Sequence, residues 1–449
     1  MTKTDWVALL LILIVAAAAR ASLLWVAVEK DNVGAPDSGA YRDLAWSMAR
    51  SQLFADGGYP EINRTPGYPF FAAVAHVLSG GDQMGGWLVV LVLQALLDVG
   101  LVFLTFLLGR LLVGHGVGLG AALFQAISPV AAASSCRALP DSLYAFCLTA
   151  ALLLIVGHLK TGKIRRLVWA GVVMALACYV RPVGMIMAAV VVVALLCRPG
   201  RFRRAGAFAG VFVACIAPWV IRNTVVADYC GFSSNGGDTL YYFYAPEIAV
   251  SRRDIDGETA RQEMWEEARR YAEEHNLTVG AAARWRQRKG LGRIAAHPWL
   301  YTKIHLKGSL GFWLPGATDV LELGGLTRGN RGTLEVLKKR GLVAAARHYF
   351  GDIELGCLTA GPMVLILLVK YAGVAACVVV GLRRRAGAAA SLLAAVVVVS
   401  MMLTGPFGLP RYRVPVEPIL NVAAAVGLGA VFARTRRPAR QTGKPAGGS

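Results

Sequence analysis

The sequence WVALLLILIVAAAARASLLWVAV, Trp6 to Val28, is followed after a few residues by Pro36-Asp37-Ser38-Gly39-Ala40-Tyr41. The apolar run is long enough to cross the ~30 Å hydrocarbon core of a bilayer. Its alanines at 16–19 resemble a signal-peptide cleavage site, but the run continues well past them, so we expect an uncleaved signal anchor. The carboxylate of Asp37 is then expected just outside the membrane.

The composition places the whole chain among membrane proteins. Of its 449 residues, 56% are hydrophobic and 16% are charged, which is too apolar for a soluble protein of this length. The net charge of +20 is concentrated in four clusters, which are Lys160–Arg166, Arg198–Arg204, Arg383–Arg385 and Arg434–Lys444. Short basic loops remain in the cytoplasm and thereby orient a membrane protein. The positive charge therefore indicates topology and not nucleic-acid binding.

The apolar runs and these clusters together predict an all-α polytopic membrane protein with about ten transmembrane helices and both termini in the cytoplasm. The predicted spans are residues 6–28, 86–110, 117–135, 139–159, 167–180, 183–197, 205–222, 358–381, 386–404 and 414–433. The chain then divides into an N-terminal transmembrane module (1–222) with a catalytic first outer loop (29–85), an extracytoplasmic helical segment (223–357), three C-terminal transmembrane helices (358–433) and a disordered basic cytoplasmic tail (434–449).

Two short features refine this topology. Residues 69–78 are apolar but too few to cross, which favours an interfacial or re-entrant helix. Residues 167–197 consist of two short runs separated by Arg181-Pro182, and the basic clusters at both ends require an even number of crossings. The chain must therefore turn at Arg181-Pro182, below the outer membrane surface, where a cation is tolerated only against protein or a wet cavity.

The segment 223–357 reads as soluble and helical. The spacing of apolar residues predicts helices over 258–276 and 279–296, a third that begins at Pro298, and a basic amphipathic helix over 332–350 that either lies on the membrane surface or exposes a solvated face. Cys230 and Cys357 flank the segment and either pair in an oxidising compartment or remain two free thiols.

Charged side chains gather at the predicted membrane boundaries of the outer side. They are Asp37, Arg137, Asp141, Arg181, Arg222, Arg411 and Arg413. Each one alone is most simply an interface anchor. Together they favour a functional cavity, because cations at membrane depth usually face one. Asp98, inside the second span, is better explained as a buried hydrogen-bonded acid than as a cavity residue, and Tyr241–Tyr244 as an interfacial aromatic belt.

A lipid phosphate suits several arginines and few acids, because guanidinium groups match phosphate oxygens while the lipid tail stays in the bilayer. If that phosphate also carries a sugar, Asp37 acquires a role as the base that removes the proton from an attacking acceptor hydroxyl. The departing phosphate gains negative charge, which the arginines stabilise more in the transition state than in the ground state.

The ordered set of motifs resembles the GT-C fold glycosyltransferases, in particular the bacterial branch that includes protein O-mannosyltransferases, lipid A aminoarabinose transferases and rhizobial lipopolysaccharide core transferases. The motifs are Asp37 with Tyr41, Arg64-Thr65-Pro66-Gly67-Tyr68-Pro69, Leu139-Pro140-Asp141, Arg181-Pro182, Pro218 with Arg222-Asn223, and Arg411-Tyr412-Arg413-Val414-Pro415. The resemblance covers essentially the whole chain. Each motif alone is weakly specific for the family, and the specificity lies in the order of the motifs within one topology.

The resemblance implies a polyprenyl-phosphate sugar donor, transfer on the outer face of the bacterial inner membrane, and inversion at the anomeric carbon. It implies that Asp37 is the base and Asp141 a second catalytic acid. The implied phosphate-binding residues are Arg181, Arg411, Arg413, Arg222 and Arg64, and the implied acceptor or sugar contacts are Tyr41 and Tyr68. Many relatives have an Asp-Glu pair in the first loop, whereas Ser38 follows Asp37 here. We therefore expect no metal ligands, although a divalent metal is compatible with the family.

Two other classes of function compete with a transferase. A lipid-linked sugar flippase would use the same basic cavity without chemistry, but it would be expected to show repeated halves, which this chain lacks. A polysaccharide ligase or polymerase would be expected to lack the acid of the first loop. The transferase is favoured, with membrane lipids as its environment and a lipid, a glycan or a protein as its acceptor.

Overall fold

The computed structural model describes residues 2–50, 54–198, 200–326, 332–350, 354–384 and 387–435, which are almost entirely helical. The N-terminal helices are α1 Lys3–Glu29, α2 Ser38–Ala49, α3 Gly67–Leu78, α4 Gln83–Leu112, α5 His115–Ala126, α6 Pro129–Ser135, α7 Asp141–Thr161, α8 Arg165–Val180, α9 Gly184–Leu196 and α10 Arg201–Ala227. Between α2 and α3, strands β1 Ala55–Asp56 and β2 Tyr59–Pro60 pair antiparallel.

The remaining elements form the segment between α10 and α18 and the C-terminal spans. They are α11 Asn235–Thr239, a π-helical turn Leu240–Tyr244, α12 Ala245–Arg253, α13 Gly257–Glu274, α14 Val279–Ala296, α15 Pro298–Ser309, a 3₁₀ turn Leu310–Trp313, α16 Ala317–Leu323, α17 Thr333–Phe350, α18 Glu354–Arg384, α19 Ala388–Met402, 3₁₀ turns Gly405–Phe407 and Pro410–Val416, and α20 Glu417–Thr435.

Six helices of the described chain are long and apolar enough to cross a membrane, and a bent pair adds a seventh candidate. The six are α1, α4, α7, α10, α18 and the unit formed by the Pro410–Val416 turn with α20. The shorter apolar helices are α3, α9 and α19. The chain is therefore a multi-pass membrane protein and the all-α architecture is confirmed, whereas the number of ten crossings stays a prediction.

The region 117–135 is not the single straight span that was expected. It is divided into α5 and α6, which meet at an angle of 57°. Pro129 has no backbone N–H to continue the hydrogen bonding of α5, and the Ser128 hydroxyl caps the new helix at the amide of Ala131. The bend brings the chain from α6 back toward the start of α7, where Asp141 lies.

The predicted turn at Arg181-Pro182 is present, because α8 ends at Val180 and α9 begins at Gly184. The two arms have 16 and 13 residues. At ~1.5 Å per residue, both are shorter than a ~30 Å hydrocarbon core.

The segment after α10 forms the expected helices with small differences. The predicted helix 279–296 coincides with α14, and Pro298 opens α15. The expected single helix over 332–350 is interrupted at Gly341, whose φ of 81° is not helical. In the run Tyr241–Tyr244, Tyr241 and Tyr242 are buried and pack with Met264 and Ala268, so these two do not belong to an interfacial belt, whereas Phe243 is exposed. The side chain of Cys357 and residues 436–449 lie outside the described residues, so the disulfide and the disordered tail stay predictions.

A buried ion pair connects the first two long helices. The Arg20 guanidinium on α1 lies 2.7 Å from the carboxylate of Asp98 on α4, and both side chains are at most 1% exposed. Arg20 also donates to the carbonyl oxygens of Gln125 and Ala126 at the C-terminal end of α5. Asp98 is therefore a buried hydrogen-bonded acid, as expected, but its partner Arg20 was not anticipated.

We expect Arg20→Leu to destabilise the protein by about 3–5 kcal/mol, because it leaves the Asp98 carboxylate buried without its counter-ion. The measurement is thermal unfolding of the purified protein in detergent. The double variant Arg20→Leu/Asp98→Leu, which buries no charge, should recover most of the loss. A single variant as stable as the wild type would contradict a structural role for this pair.

Candidate active site

Asp37 lies at the start of α2 with its carboxylate directed away from the helix. Its side chain makes no capping hydrogen bond to α2, is 52% exposed, and lies 3.7 Å from the guanidinium of Arg411. The preceding turn is held by Ser38 instead: the Ala35 amide donates to the Ser38 hydroxyl, which donates to the Ala138 carbonyl at 3.0 Å. The Asp37 carboxylate thus remains accessible to a ligand.

Asp141 is the first residue of α7, and its side chain is only 2% exposed. It forms an ion pair with Arg181, which lies in the turn between α8 and α9 and is 26% exposed. The buried acid and the partly exposed arginine thus join the start of one helix to the end of another. Asp141 is held by this pairing, whereas Asp37 has only a loose partner.

Arg411 completes the cluster from the C-terminal part of the chain. Its guanidinium lies 5.3 Å from the centre of the Tyr412 ring, and that of Arg181 lies 6.0 Å from the same ring. The charges of both Asp141 and Asp37 act on Arg411. The Arg411 Nε is buried and has no hydrogen-bond partner among the described residues. The structure therefore brings Asp37, Asp141, Arg181 and Arg411 together around Tyr412.

Tyr41 and Arg64 form another wall of the same cluster. The guanidinium of Arg64 lies 5.6 Å from the centre of the Tyr41 ring, and the charges of Asp37, Asp141 and Arg181 also act on Tyr41. Burial raises the pKa of the Tyr41 hydroxyl, so it stays protonated at neutral pH and can donate a hydrogen bond.

Tyr68 lies behind Tyr41 and does not face a ligand. The two rings meet edge to face at 5.1 Å, Tyr68 is fully buried, and its hydroxyl donates to the Gln94 side chain at 2.5 Å. Gln94 in turn donates to the backbone carbonyl of Arg137 at 2.7 Å. Tyr68 therefore supports Tyr41 from below.

Glu61 was missed in the sequence and holds Arg64 in place. Its carboxylate accepts from the backbone amides of Asn63 and Arg64 at 2.5 and 2.9 Å, and it lies 3.7 Å from the Arg64 guanidinium. Burial raises the pKa of Glu61, while these two amides and Arg64 act in the opposite direction. The acid three residues before Arg64 was the available signal.

Arg222 and Arg413 do not join the cluster expected for them. Arg222 donates to the backbone carbonyls of Phe54 and Glu61 at 2.6 and 2.7 Å, which fixes the β1–β2 hairpin. Arg413 is fully buried and donates to the Phe312 carbonyl at 2.6 Å. It lies in the same 3₁₀ turn as Arg411, where successive residues are separated by ~120°, so two residues two positions apart point in different directions.

Arg413 belongs to a second buried group that the sequence did not reveal. It pairs with Glu417, and Glu417 also pairs with Lys370 on α18 at 2.6 Å. All three side chains are at most 5% exposed. Charges inside apolar spans are a signal of this kind of pairing, but no sequence spacing links Lys370 to Glu417.

Comparisons with known proteins agree with this architecture. Residues 63–221 match the family model of dolichyl-phosphate-mannose-protein mannosyltransferases. The structure is similar to that of the oligosaccharyltransferase of Archaeoglobus fulgidus tethered to an acceptor peptide, with a TM-score of 0.55 and 16% identity over 96% of this chain and 50% of that one. The chain therefore shares the membrane fold of that protein, the GT-C fold.

Two further GT-C structures are similar. The oligosaccharyltransferase AglB from Archaeoglobus fulgidus, in complex with an inhibitory peptide and a dolichol-phosphate, has a TM-score of 0.53 and 16% identity over 95% of this chain and 50% of that one. ArnT from Cupriavidus metallidurans bound to undecaprenyl phosphate has a TM-score of 0.45 and 16% identity over 96% of this chain and 80% of that one. The chain spans about half the length of the archaeal enzyme. No match was found among curated protein sequences.

The charged residues around Tyr412 do not suit a divalent metal. Within the described ranges, no three His, Cys, Asp or Glu side chains come close enough to hold one ion. Asp37 and Asp141 are each faced by an arginine, whereas a magnesium or calcium ion needs several oxygen ligands that are not already neutralised.

Gly67 allows the first loop to approach the turn that carries Arg181. A Cβ atom at Gly67 would lie 2.6 Å from the carbonyl carbon of Tyr179, which is closer than packed atoms tolerate. Only glycine therefore lets the start of α3 reach the end of α8. This contact brings the Arg64–Tyr68 stretch to the charged residues around Tyr412.

We expect Gly67→Val to lower the unfolding temperature in detergent by several degrees, because the side chain forces α3 away from the backbone of α8. The matched control is Gly39→Ala on α2, where a Cβ atom would meet nothing within 4 Å. The control should unfold at or slightly above the wild-type temperature. Equal stability of all three proteins would contradict the close packing at Gly67.

Proposed function

We propose that this protein is a glycosyltransferase that moves a sugar from a polyprenyl-phosphate donor to an acceptor hydroxyl on the outer face of the bacterial inner membrane, with inversion at the anomeric carbon. The observation that carries the proposal is an exposed carboxylate, Asp37, next to Arg411, whose neighbour across the Tyr412 ring is Arg181. The mannosyltransferase family match over residues 63–221 and the GT-C fold support it.

The reaction is a single displacement. The oxygen of the acceptor hydroxyl attacks the anomeric carbon and forms the new glycosidic bond, while its proton passes to the carboxylate of Asp37. The bond between the anomeric carbon and the phosphate oxygen breaks, and its electron pair remains on the phosphate. Asp37 suits the role of base because its side chain is half exposed and forms no capping bond to its own helix.

Arg411 and Arg181 bind the departing phosphate in this proposal. The phosphate gains negative charge as the bond breaks, so fixed guanidinium groups stabilise the transition state more than the bound donor. The Arg411 side chain is 27% exposed and has only the Asp37 carboxylate, at 3.7 Å, as an ion-pair partner among the described residues, so its exposed nitrogens can receive a phosphate oxygen. Arg64, held by Glu61 above the Tyr41 ring, lines the opposite side, where Tyr41 contacts the sugar or the acceptor.

Asp141 acts through Arg181. Its ion pair restrains the guanidinium and leaves the exposed part of Arg181 toward the ligand. It is therefore a positioning residue in this proposal, whereas Asp37 touches the reacting hydroxyl.

We expect Asp37→Asn to insert normally in the membrane and to abolish transfer, because an amide cannot accept the proton. The measurement is mass spectrometry of envelope glycolipids and glycoproteins in a deletion strain that carries the variant gene. Asp43→Asn is the matched control, because Asp43 lies on the same helix, is 62% exposed and contacts only its neighbour Arg42 among the described residues. It should restore wild-type products.

Full restoration by Asp37→Asn would overturn the assignment of the base. Movement of an unchanged lipid-linked sugar between leaflets by the purified protein, with no transfer to any envelope acceptor, would favour the flippase instead.

The variants Arg411→Gln and Arg413→Gln distinguish the roles of the two arginines in the Pro410–Val416 turn. We expect Arg411→Gln to keep the wild-type unfolding temperature and to lose at least tenfold in transfer, since a charged hydrogen bond to phosphate is worth about 1.5–3 kcal/mol. Arg413→Gln should instead unfold at a lower temperature, because Glu417 loses a buried partner. The reverse pattern would contradict the assignment.

A further inference from the structure

Helix α15 and Leu310, the first residue of the 3₁₀ turn after it, present an apolar stripe to their surroundings. Trp299, Leu306 and Leu310 are 81%, 52% and 58% exposed. At ~100° per residue these three side chains fall within about 40° of one another around the helix. Lys303 lies about 20° and Lys307 about 60° beyond the edge of the stripe, on the same side of it, and both are exposed. Large apolar side chains in one row with lysines beside them are typical of a helix at a membrane surface.

The opposite face of α15 is attached to the end of a membrane helix. The His305 ring donates to the carbonyl of Met402, the last residue of α19, at 2.8 Å. A Cβ atom at Gly308 would overlap the carbonyl of Pro406 in the following turn. The stripe is therefore at the level where the apolar helix α19 ends. An exposed tryptophan at that level is typical of the bilayer–water boundary.

The adjoining surface continues the same character. Phe243 is 49% exposed and its ring lies 6.2 Å from that of Phe407, in the turn after α19. The carboxylate of Glu247 interacts electrostatically with Lys307. Lys303 adds a second exposed cation. Two exposed lysines complement the negative headgroups of anionic lipids.

We propose that α15 lies on the bilayer surface at this end of the molecule, where it binds anionic lipid headgroups. Lys303 and Lys307 contact the headgroups, and Trp299, Leu306 and Leu310 enter the boundary with the acyl chains. Continuity with the end of α19 and the charge of the two lysines identify a lipid surface as the occupant. A second copy of the chain or a protein partner is an outcome that the experiment below distinguishes.

The same element supports the turn that carries Arg411. A Cβ atom at Gly311 would overlap the Gly408 carbonyl. Arg413 donates to the carbonyls of Phe312 and Leu314, just after α15, at 2.6 and 3.1 Å. Lipid binding at α15 therefore restrains the backbone on both sides of Arg411. As a consequence that rests on the proposed function, transfer is faster in anionic membranes.

The first experiment measures contact with lipid and needs no turnover. The full chain is placed in nanodiscs of phosphatidylcholine, with or without phosphatidylglycerol, in which the lipids are brominated near the headgroup end of the acyl chain. We expect wild-type emission to be quenched more than that of Trp299→Phe, and the difference to grow with phosphatidylglycerol. Trp265→Phe is the control. Trp265 lies in the charged helix α13 and is 59% exposed, but its ring stacks on that of Tyr242.

A Trp299 contribution that brominated lipid does not quench would overturn the proposal. So would quenching that depends on the number of protein copies in each disc and not on the lipid, since that result would indicate a second copy.

The second experiment reverses the charges. Lys303→Glu/Lys307→Glu should lose the effect of phosphatidylglycerol on quenching, whereas the exposed residue Arg288 on α14 provides the matched control Arg288→Glu, which should retain it. If the double variant keeps the effect, the headgroup contacts are assigned to the wrong residues and the proposal fails. A lipid effect on quenching without any on transfer would leave the surface in place and contradict only its link to Arg411.

Discussion

A charge inside a bilayer needs an opposite charge beside it, and this requirement organises the whole protein. Arg20 and Asp98 join α1 to α4, Asp141 and Arg181 join α7 to the turn after α8, and Lys370 and Glu417 join α18 to α20. Apolar side chains pack equally well against lipid and against each other, so they specify few contacts between spans. Ion pairs do specify them, because a mispaired charge at that depth is costly.

The charged groups of the candidate site are more exposed and less tightly paired than these ion pairs. Asp98 and Glu417 are completely buried by their partners. Asp37 is half exposed and 3.7 Å from Arg411, so neither group is fully satisfied by the other. A group that must exchange its partner for a substrate during each turnover needs this looseness. The tightly paired charges around it keep the surrounding backbone in place while the loose ones change contacts.

The sequence predicted well the features that depend on local pattern. The turn at Arg181-Pro182 followed from helix length and basic loops, and the helix predicted over 279–296 from apolar spacing has the bounds of α14. The break at Ser128-Pro129 had a local signal as well, but the apolar run around it was long enough to be read as one span. Composition alone does not distinguish a continuous crossing from a bent one.

Partners distant in the sequence could not be predicted in the same way. Asp37, Asp141, Arg181 and Arg411 were identified as candidates from their positions at span ends, and the structure brings them together. Arg413 lies at the same span end and was expected to bind the phosphate as well, yet its side chain pairs with Glu417. The difference depends on the rotation of one short turn, for which the available signal was Glu417, four residues after Arg413, whereas Arg411 has Pro415 at that spacing.

This rotation makes the length of the Pro410–Val416 turn as important as its composition. One residue inserted before Arg411 would rotate the following side chains by ~120°. Arg411 would then lose its direction toward Asp37, and Arg413 would lose its direction toward the carbonyls of Phe312 and Leu314. Natural variation in this turn is therefore expected to exchange residues but not to add or remove them.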